Sequence, residues 1–416
     1  MKMPSPKLAF GLFSFFVCAA GTVVGCSSSS SNDDKANGGG GGSDQAGQSG
    51  GGGSTGGQAG SATGGKGGNA GASAGGSGSG GSGAAGNAGG AAGGSAGGAA
   101  GNAGGTAGGG AGGAVSSALC PAGMQYGAPV PDGATPMKLK DGFEGTEGPV
   151  WVASVKAFFF SDLQRTSGGN KWQDDASSKI WKYDTVANTF EVFVAASGSN
   201  GLALTNDGKI IGALHSLGGL AIFDPVTKAR TNYITGVGGK PLGSPNDLAV
   251  RADGNVYFSD PEWQIPMNPK RDGQGMKVYR ADAQKNVTQV DATLSRPNGV
   301  TLSADGNTLY VTDDSKGVWK YKVAANGATT KDGMFTTTTG GNADGMTADC
   351  AGNVYIATSV GVEIVSAAGT KVKTIGGVGG ATNVAFGGTD NKTLLITAGD
   401  NKAVYSIKLN IPGLPF

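Results

Sequence analysis

Six positions of the chain carry oxygen-bearing side chains that could bind a metal ion, and each lies at the start of a similar segment. They are Glu147, Asn200, Asn246, Asn298, Asp344 and Asn383. Carboxylate and carboxamide oxygens, without a thiol or an imidazole, are the ligands of hard cations such as calcium and magnesium. Asn and Asp also begin turns for local reasons, which is the alternative explanation at any single position. Their recurrence in six similar segments favours a shared site.

The segments that follow these residues share one pattern. Each has an alternating apolar strand, a turn with Asp-Gly or Gly-Asn, and a second strand rich in β-branched and aromatic residues. The clearest copies are PNDLAVRADGNVYFSD at 245–260 and PNGVTLSADGNTLYVTDD at 297–314. Successive copies begin 39 to 53 residues apart, a spacing typical of propeller blades.

The repeats predict an all-β fold, a six-bladed β-propeller. Residues around 125–142 are expected to supply a strand that completes the last blade. A two-sheet sandwich is the alternative, but it would not explain why six units share one turn pattern. In a propeller the first strand of each blade borders the central channel, so the six oxygen-bearing residues should form a ring at one mouth. We call them the ring residues.

The second strand of each hairpin should end at the same mouth, where it places Asp162, His215, Asp260 and Asp313. His215 is the only histidine of the chain, and we expect it to contact substrate or transfer a proton, with plain packing as the alternative. Asp260 is expected to line the site, whereas Asp162 and Asp313 should bond to backbone. The insertion after Asp260 brings Trp263 to the mouth, either over a substrate or against the rim.

The beginning of the chain predicts export and tethering. Residues 1–25 have the basic start and short apolar stretch of a secretion signal. They end at Cys26 in a context that resembles the lipobox of bacterial lipoproteins, and an ordinary cleaved signal is the alternative. Residues 27–118 hold 39 of the 82 glycines and no aromatic residue. They cannot bury a core, so 26–118 should consist of a lipidated Cys26 and a disordered Gly/Ala/Ser-rich linker.

The predicted propeller domain spans 119–416 and holds the remaining two cysteines. The formal net charge of the chain is +1, which argues against a nucleic-acid partner. An exported domain keeps disulfides, so a bridge between Cys120 and Cys350 is a candidate. The sequence alone does not show whether the two side chains meet.

The motifs around the ring residues resemble those of the gluconolactonase, regucalcin and senescence marker protein family of six-bladed propellers. The resemblance runs from about Phe143 to Leu409. It depends on EGPVW at 147–151, SPNDLAV at 244–250, RPNGVTLSADGNTLYVTD at 296–313 and ADGMTAD at 343–349. His215 and SDPEW at 259–263 resemble the bacterial gluconolactonase branch, although Glu262 and Trp263 replace a proline and a tyrosine there.

The resemblance implies metal-dependent hydrolysis of a lactone, such as the sugar aldonolactone gluconolactone. The implied ligands of one divalent metal are Glu147, Asn246, Asn298 and Asp344. Calcium is the first choice, with magnesium, manganese or zinc as alternatives. The substrate contacts that we expect are Asn200, Asn246, Asp260 and Trp263. Asp344 is the implied proton acceptor, but a carboxylate on a cation is a weak base, which leaves His215 or a water as the alternative.

Two other functions stay open. One is a non-catalytic propeller that binds a sugar or a protein and holds a structural metal. The other is a hydrolase of aryl esters or phosphotriesters at the same site, since propellers host many functions. For the lactonase we expect a small-molecule partner, a membrane contact through the lipid anchor only, and a monomer. It should lie outside the cytoplasm, on the periplasmic side of the outer membrane or at the cell surface.

Overall fold

The computed structural model describes residues 120–121, 123–164, 178–262, 275–314 and 316–414. The secretion signal, Cys26 and the linker predicted from the sequence lie outside these ranges. Within them the strands form six four-stranded antiparallel sheets, and a short 3-10 helix covers Ala153–Val155. The innermost strands contact one another in a closed ring. The predicted all-β, six-bladed propeller is therefore confirmed. No helix in the described ranges has the length and apolar character that crossing a bilayer requires.

The first three blades each run in chain order from the innermost to the outermost strand. Blade 1 contains β2 (Thr146–Val152), β3 (Ala157–Asp162), β4 (Lys179–Asp184) and β5 (Thr189–Val194). Blade 2 contains β6 (Leu202–Leu204), β7 (Ile210–Leu214), β8 (Gly219–Phe223) and β9 (Arg230–Ile234). Blade 3 contains β10 (Leu248–Val250), β11 (Val256–Asp260), β12 (Lys277–Ala281) and β13 (Val287–Asp291).

The remaining blades also run from the innermost to the outermost strand. Blade 4 contains β14 (Pro297–Leu302), β15 (Thr308–Asp313), β16 (Gly317–Val323) and β17 (Thr329–Thr336). Blade 5 contains β18 (Met346–Ala348), β19 (Val354–Thr358), β20 (Gly361–Val365) and β21 (Lys371–Ile375). Blade 6 contains β22 (Ala381–Gly387), β23 (Thr393–Ala398), β24 (Ala403–Lys408) and, as its outermost strand, β1 (Met137–Asp141).

The ring closes by combining the two ends of the domain in blade 6. Strand β1 pairs antiparallel with β24, from Met137 opposite Ser406 to Asp141 opposite Ala403. This is the closing strand that the sequence predicted for 125–142. Cys120 and Cys350 form a disulfide with their Cα atoms 5.1 Å apart. The start of the domain is thus fixed to blade 5 as well as to blade 6.

The hydrophobic core is divided among the blade interfaces. Buried apolar side chains of the described residues form six clusters, one between each pair of neighbouring blades. In β3, Phe159 packs toward blade 2, whereas Phe158 and Phe160 pack toward blade 6. Because successive side chains of a strand point to opposite faces, a strand enclosed on both sides must be apolar on both. The second strands are therefore continuous apolar runs.

Glycines let neighbouring blades approach closely at the axis. They directly follow four of the ring residues and are Gly148, Gly201, Gly299 and Gly345. A β-carbon on Gly299 would lie 2.3 Å from the main-chain oxygen of Asp344, and one on Gly201 would lie 2.6 Å from that of Asn246. No side chain fits at such distances, so the innermost strands can pack only through glycine at these points.

We expect the double substitution Cys120→Ser and Cys350→Ser to lower the melting temperature of the purified protein. The bridge joins residues 230 positions apart and restricts the unfolded chain, which is worth about 2–4 kcal/mol. Calorimetry at fixed pH and metal concentration measures the change. Either single substitution breaks the same bridge and serves as the control, so all three variants should melt together. An unchanged melting temperature would show that the bridge does not stabilise the fold.

Candidate functional site

The ring residues occupy equivalent positions in the six blades. Three lie near the start of an innermost strand, namely Glu147 in β2, Asn298 in β14 and Asn383 in β22. The other three lie two residues before such a strand, namely Asn200, Asn246 and Asp344. The four asparagines are buried, whereas Glu147 and Asp344 stay partly exposed. The fold thus gathers oxygen-bearing side chains at the axis, as the repeats predicted.

Two carboxylates of this ring lie close enough to repel each other. Burial by the surrounding protein and then the charges of Asp344 and Asp247 raise the pKa of Glu147 well above its usual value. Burial and then the charges of Asp314 and Asp247 raise the pKa of Asp344 in the same way. A proton or a cation between these carboxylates would relieve the repulsion.

Asn298 lies beside Asp344 in the ring, and its side chain lowers the pKa of the Asp344 carboxylate against the larger raising effect of burial. The Oδ1 atom of Asn298 is buried without a hydrogen-bond partner among the described residues, and so is Oδ1 of Asn200. A buried polar atom without a partner costs about 1–3 kcal/mol. Such atoms at the mouth of a channel indicate that a ligand completes the site.

The oxygen-bearing side chains of the ring fit a hard divalent cation. The described residues contain no metal-ligand cluster of three or more His, Cys, Asp or Glu side chains. A cation here would therefore need further oxygen ligands beside the two carboxylates, and the unpartnered Oδ1 of Asn298 next to Asp344 is one such oxygen. Oxygen ligands of this kind suit calcium better than a transition metal. The residues that would hold it are Glu147, Asn246, Asn298 and Asp344.

Asn383 is the ring residue whose side chain is already used inside the protein. Its Oδ1 accepts the Val384 N–H at 2.7 Å, and its Nδ2 donates to Oδ2 of Asp247 at 3.4 Å. Asn383 therefore has a structural role.

Asp247 is a buried carboxylate at the axis that the sequence reasoning missed. Its Oδ1 accepts the Leu248 N–H at 2.9 Å, and its Oδ2 accepts the Val300 N–H of blade 4 at 3.2 Å and the amide of Asn383 in blade 6. The side chain therefore crosses the channel. Burial raises its pKa to about 7. The sequence does carry a signal for this residue. Asp247 directly follows a ring residue, whereas glycine occupies the equivalent position in four other blades.

Three aspartates at the ends of second strands share one role. Each carboxylate accepts the N–H groups of two consecutive residues just before the ring residue of its blade. The pairs are Glu144 and Gly145 for Asp162, Gly243 and Ser244 for Asp260, and Ser295 and Arg296 for Asp313. Asp260 is fully buried, with these bonds at 2.9 and 2.6 Å. The oxygens of Asp260 thus hold the loop that positions Asn246, a role that the sequence analysis gave only to Asp162 and Asp313. The expectation that Asp260 also contacts substrate stays a prediction.

His215 lies directly after β7, beside the Asn200 part of the mouth. Asn200 donates its N–H to the carbonyl of Ala213 at 2.8 Å, so the end of β7 and Asn200 are neighbours. The imidazole is buried, and its Nε2 lies 2.9 Å from Oγ of Ser178. Ser178 is a second residue that the sequence reasoning missed. Trp263, the predicted cover of the substrate, lies outside the described residues.

Comparison with known proteins shows which proteins the chain resembles over its folded part. The family model of the SMP-30/gluconolactonase/LRE-like region matches residues 145–400. A gluconolactonase of Zymomonas mobilis is 31% identical over 291 residues, which cover 65% of this chain and 81% of the relative. A pentonolactonase of Haloferax volcanii is 26% identical over 263 residues, which cover 60% of this chain and 80% of the relative.

Solved structures have the same architecture. A gluconolactonase of Xanthomonas campestris superposes with a TM-score of 0.57 at 23% identity, over 69% of this chain and 99% of that one. The calcium-binding protein regucalcin of Agrobacterium tumefaciens gives a TM-score of 0.54 at 18% identity, over 69% and 97%. These similarities concern the fold. Because the family model matches more than half of the 416 residues, the chain belongs to the SMP-30/gluconolactonase/LRE-like family.

Proposed function

We propose that this protein hydrolyses a lactone, of the sugar aldonolactone class that includes gluconolactone, with a divalent cation at the ring of oxygen ligands. One observation carries the proposal: Asn298, whose buried Oδ1 has no partner among the described residues, lies beside Asp344, and the charge of Asp344 in turn raises the pKa of Glu147. The gluconolactonase and pentonolactonase relatives support the class of substrate. Calcium is our first choice, with magnesium, manganese and zinc as alternatives.

The protein's own residues would hold and orient the substrate. A bound cation would stabilise the negative charge that develops on the lactone carbonyl oxygen when water attacks. The Asn298 side chain lies beside the Asp344 carboxylate and lowers its pKa, which favours the charged form that a cation needs. The free Oδ1 of Asn200 can accept a hydrogen bond from a substrate hydroxyl. His215, beside Asn200, would supply a further polar contact.

We expect the chelator-treated protein to lose glucono-lactone opening above the spontaneous rate, and calcium to restore it. Asp344→Ala and Asn298→Ala should each lower kcat/KM by about 100-fold or more, because each removes a group that holds the cation at the reacting carbonyl. A pH-stat assay measures the rate, and circular dichroism checks that the variants fold. Asp132→Ala, at an exposed position, is the control with unchanged activity.

Other outcomes of this assay would support the alternatives. A folded protein that binds the cation but opens no lactone or ester in a broad panel would be a binding module for a sugar or a protein. A protein that is inactive on lactones but cleaves aryl esters or phosphotriesters would be a different hydrolase on the same site.

The raised pKa values predict how pH acts on the metal-free protein. Glu147, Asp344 and Asp247 keep their protons in the folded state at pH values at which the unfolded chain has released them. The free energy of unfolding should therefore fall as pH rises from the ordinary carboxyl range through about 7. Melting curves of the chelator-treated protein at pH 5 and pH 8 test this, and the melting temperature should be lower at pH 8.

Two comparisons make this test specific to the ring. Added calcium should raise the melting temperature more at pH 8 than at pH 5, since it replaces the missing protons. Asp344→Asn should reduce the difference between the two pH values because it removes one repelling charge. Equal stability of the metal-free protein at both pH values would contradict the assignment of the buried carboxylates.

We also propose that Cys26 is lipidated and that 27–118 spaces the propeller from the membrane, facing the periplasm or the cell exterior. The proposal rests on the signal-like residues 1–25 and on the glycine-rich composition that follows. Cys26→Ser should move the protein from the membrane fraction to the soluble fraction and abolish incorporation of labelled fatty acid. Continued membrane association of that variant would contradict it. We expect the released protein to be a monomer.

A further inference from the structure

A buried hydroxyl joins the main chains of two candidate metal ligands, Asn246 and Asn298. It belongs to Ser259, a fully buried residue in β11 of blade 3. Its Oγ accepts the N–H of Asp247, the residue after Asn246, at 3.1 Å and donates to the carbonyl of Asn298 in blade 4 at 2.5 Å. The carbonyl of Asp247, the other oxygen within reach, is 3.5 Å away. The hydroxyl therefore links blade 3 to blade 4 next to the axis.

A second buried hydroxyl repeats this arrangement one blade further along the ring. Thr312, in β15 of blade 4, accepts the N–H of Gly299 at 2.6 Å and donates to the carbonyl of Asp344 in blade 5 at 3.0 Å. The N–H of Gly299 and the carbonyl of Asn298 belong to the same peptide group, which is planar. Ser259 and Thr312 therefore hold that peptide group at both of its polar atoms.

The propeller itself does not require a hydroxyl at this strand position. The equivalent residues of blades 2 and 5 are Ala213 and Ala357, whose carbonyls accept the N–H of their ring residues as the carbonyl of Ser259 does. In these two blades the N–H of the glycine after the ring residue bonds directly to a carbonyl of the next blade. The donor and acceptor pairs are Gly201 with Asn246 at 2.7 Å and Gly345 with Thr382 at 2.8 Å. Neighbouring blades can thus be joined at the axis by main chain alone.

The peptide group that the two hydroxyls hold lies in an irregular part of β14. The register of β14 against β15 shifts between Pro297 and Val300, and a shift of this kind disrupts the regular ladder of backbone hydrogen bonds. Glycine at position 299 adds conformational freedom, because it has no β-carbon. The hydrogen bonds of Ser259 and Thr312 therefore fix a backbone segment that the sheet alone would hold loosely.

The side chain of Asn298 depends on this peptide group for its direction, and its Oδ1 is buried without a partner among the described residues. We propose that Ser259 and Thr312 are positioning residues of the cation site. By holding the peptide group between Asn298 and Gly299, they keep Oδ1 of Asn298 directed toward the cation. Neither hydroxyl has a hydrogen left for a ligand, because each donates to a main-chain carbonyl. The inference rests on the cation site of the proposed function.

The calcium affinity of the full chain tests the proposal without any assay of activity. A chelator removes bound metal, and titration calorimetry then measures the Kd for calcium. Thr312→Val keeps the shape of the side chain but removes the hydroxyl. We expect its Kd to rise by about 10-fold or more, the range found for groups that orient the ligands of a metal site. Thr312→Ser keeps the hydroxyl and should bind calcium with the wild-type Kd.

Thr397→Val is the matched control for the loss of a buried threonine hydroxyl. Thr397 occupies the equivalent position in β23 of blade 6, is also fully buried, and donates to the carbonyl of Asn383 at 3.1 Å. Asn383 is not among the candidate ligands, so the calcium Kd of this variant should equal that of wild type. Melting curves of the metal-free variants show the cost of each substitution to the fold. A loss of affinity in Thr312→Val alone therefore originates at the cation site.

Ser259→Ala is a second test, and it decides the question if Thr312→Val does not fold. It should also raise the calcium Kd by about 10-fold. Because both hydroxyls act on one peptide group, the double variant should bind calcium only slightly more weakly than either single variant. Losses that multiply in the double variant would contradict action through a shared peptide group.

These measurements distinguish failure of this inference from failure of the proposed function. If Thr312→Val and Ser259→Ala bind calcium as tightly as wild type, or if Thr397→Val binds it as weakly as they do, the positioning role is wrong. If the affinities follow the expected order but no lactone is opened, the lactonase proposal fails and the positioning role stands. A wild-type chain that binds no divalent cation would overturn both.

Discussion

The close approach of the six innermost strands at the axis is the constraint on which the rest of this structure depends. A β-carbon on Gly345 would lie 2.0 Å from the side chain of Asn383, and one on Gly148 would lie 2.4 Å from Gly201. The strands can pack this tightly only where glycine follows the ring residue. The same packing brings the side chains of the ring residues together around the axis.

The axis carries more negative charge than a protein interior normally tolerates. Burial, and then the charges of neighbouring carboxylates that include Asp247, raise the pKa of both Glu147 and Asp344. Asp247 has backbone and amide donors as partners, whereas Asp344 lies beside Asn298, whose Oδ1 has no partner among the described residues. Like charges held close together in a folded protein destabilise it and are typical of functional sites. The carboxylates of the site therefore lower the free energy of unfolding of the propeller.

Hydroxyl groups at the ends of second strands form hydrogen bonds to the next blade, which fixes the relative position of neighbouring blades. Ser259 donates to the carbonyl of Asn298 at 2.5 Å, and Thr312 donates to that of Asp344 at 3.0 Å. These two candidate metal ligands are thus each held by a side chain of the preceding blade. Ser161 occupies the corresponding place in blade 1, but it bonds to the hydroxyl of Ser199 in the segment that leads into blade 2. One repeated position therefore connects three pairs of neighbouring blades.

The sequence by itself determined the features that recur locally. Alternation and turn chemistry, repeated six times, predicted the blades and the ring residues, because each depends on residues close in the chain. The closing strand followed from the need to complete the ring. Only the tertiary structure decided which residues from distant parts of the chain contact each other. Asp162, Asp260 and Asp313 each follow a Ser or Thr at the end of a strand, so the sequence does not show what their carboxylates bind. The structure shows that Asp260 accepts hydrogen bonds from the backbone of the loop before Asn246. Asp247 crosses the channel to Asn383, 136 residues away, and Ser178 meets His215 from a neighbouring blade. Cys120 forms a disulfide with Cys350, which lies 230 residues away in the chain. Contacts between distant segments leave no local pattern, because they depend on how the blades pack around the axis.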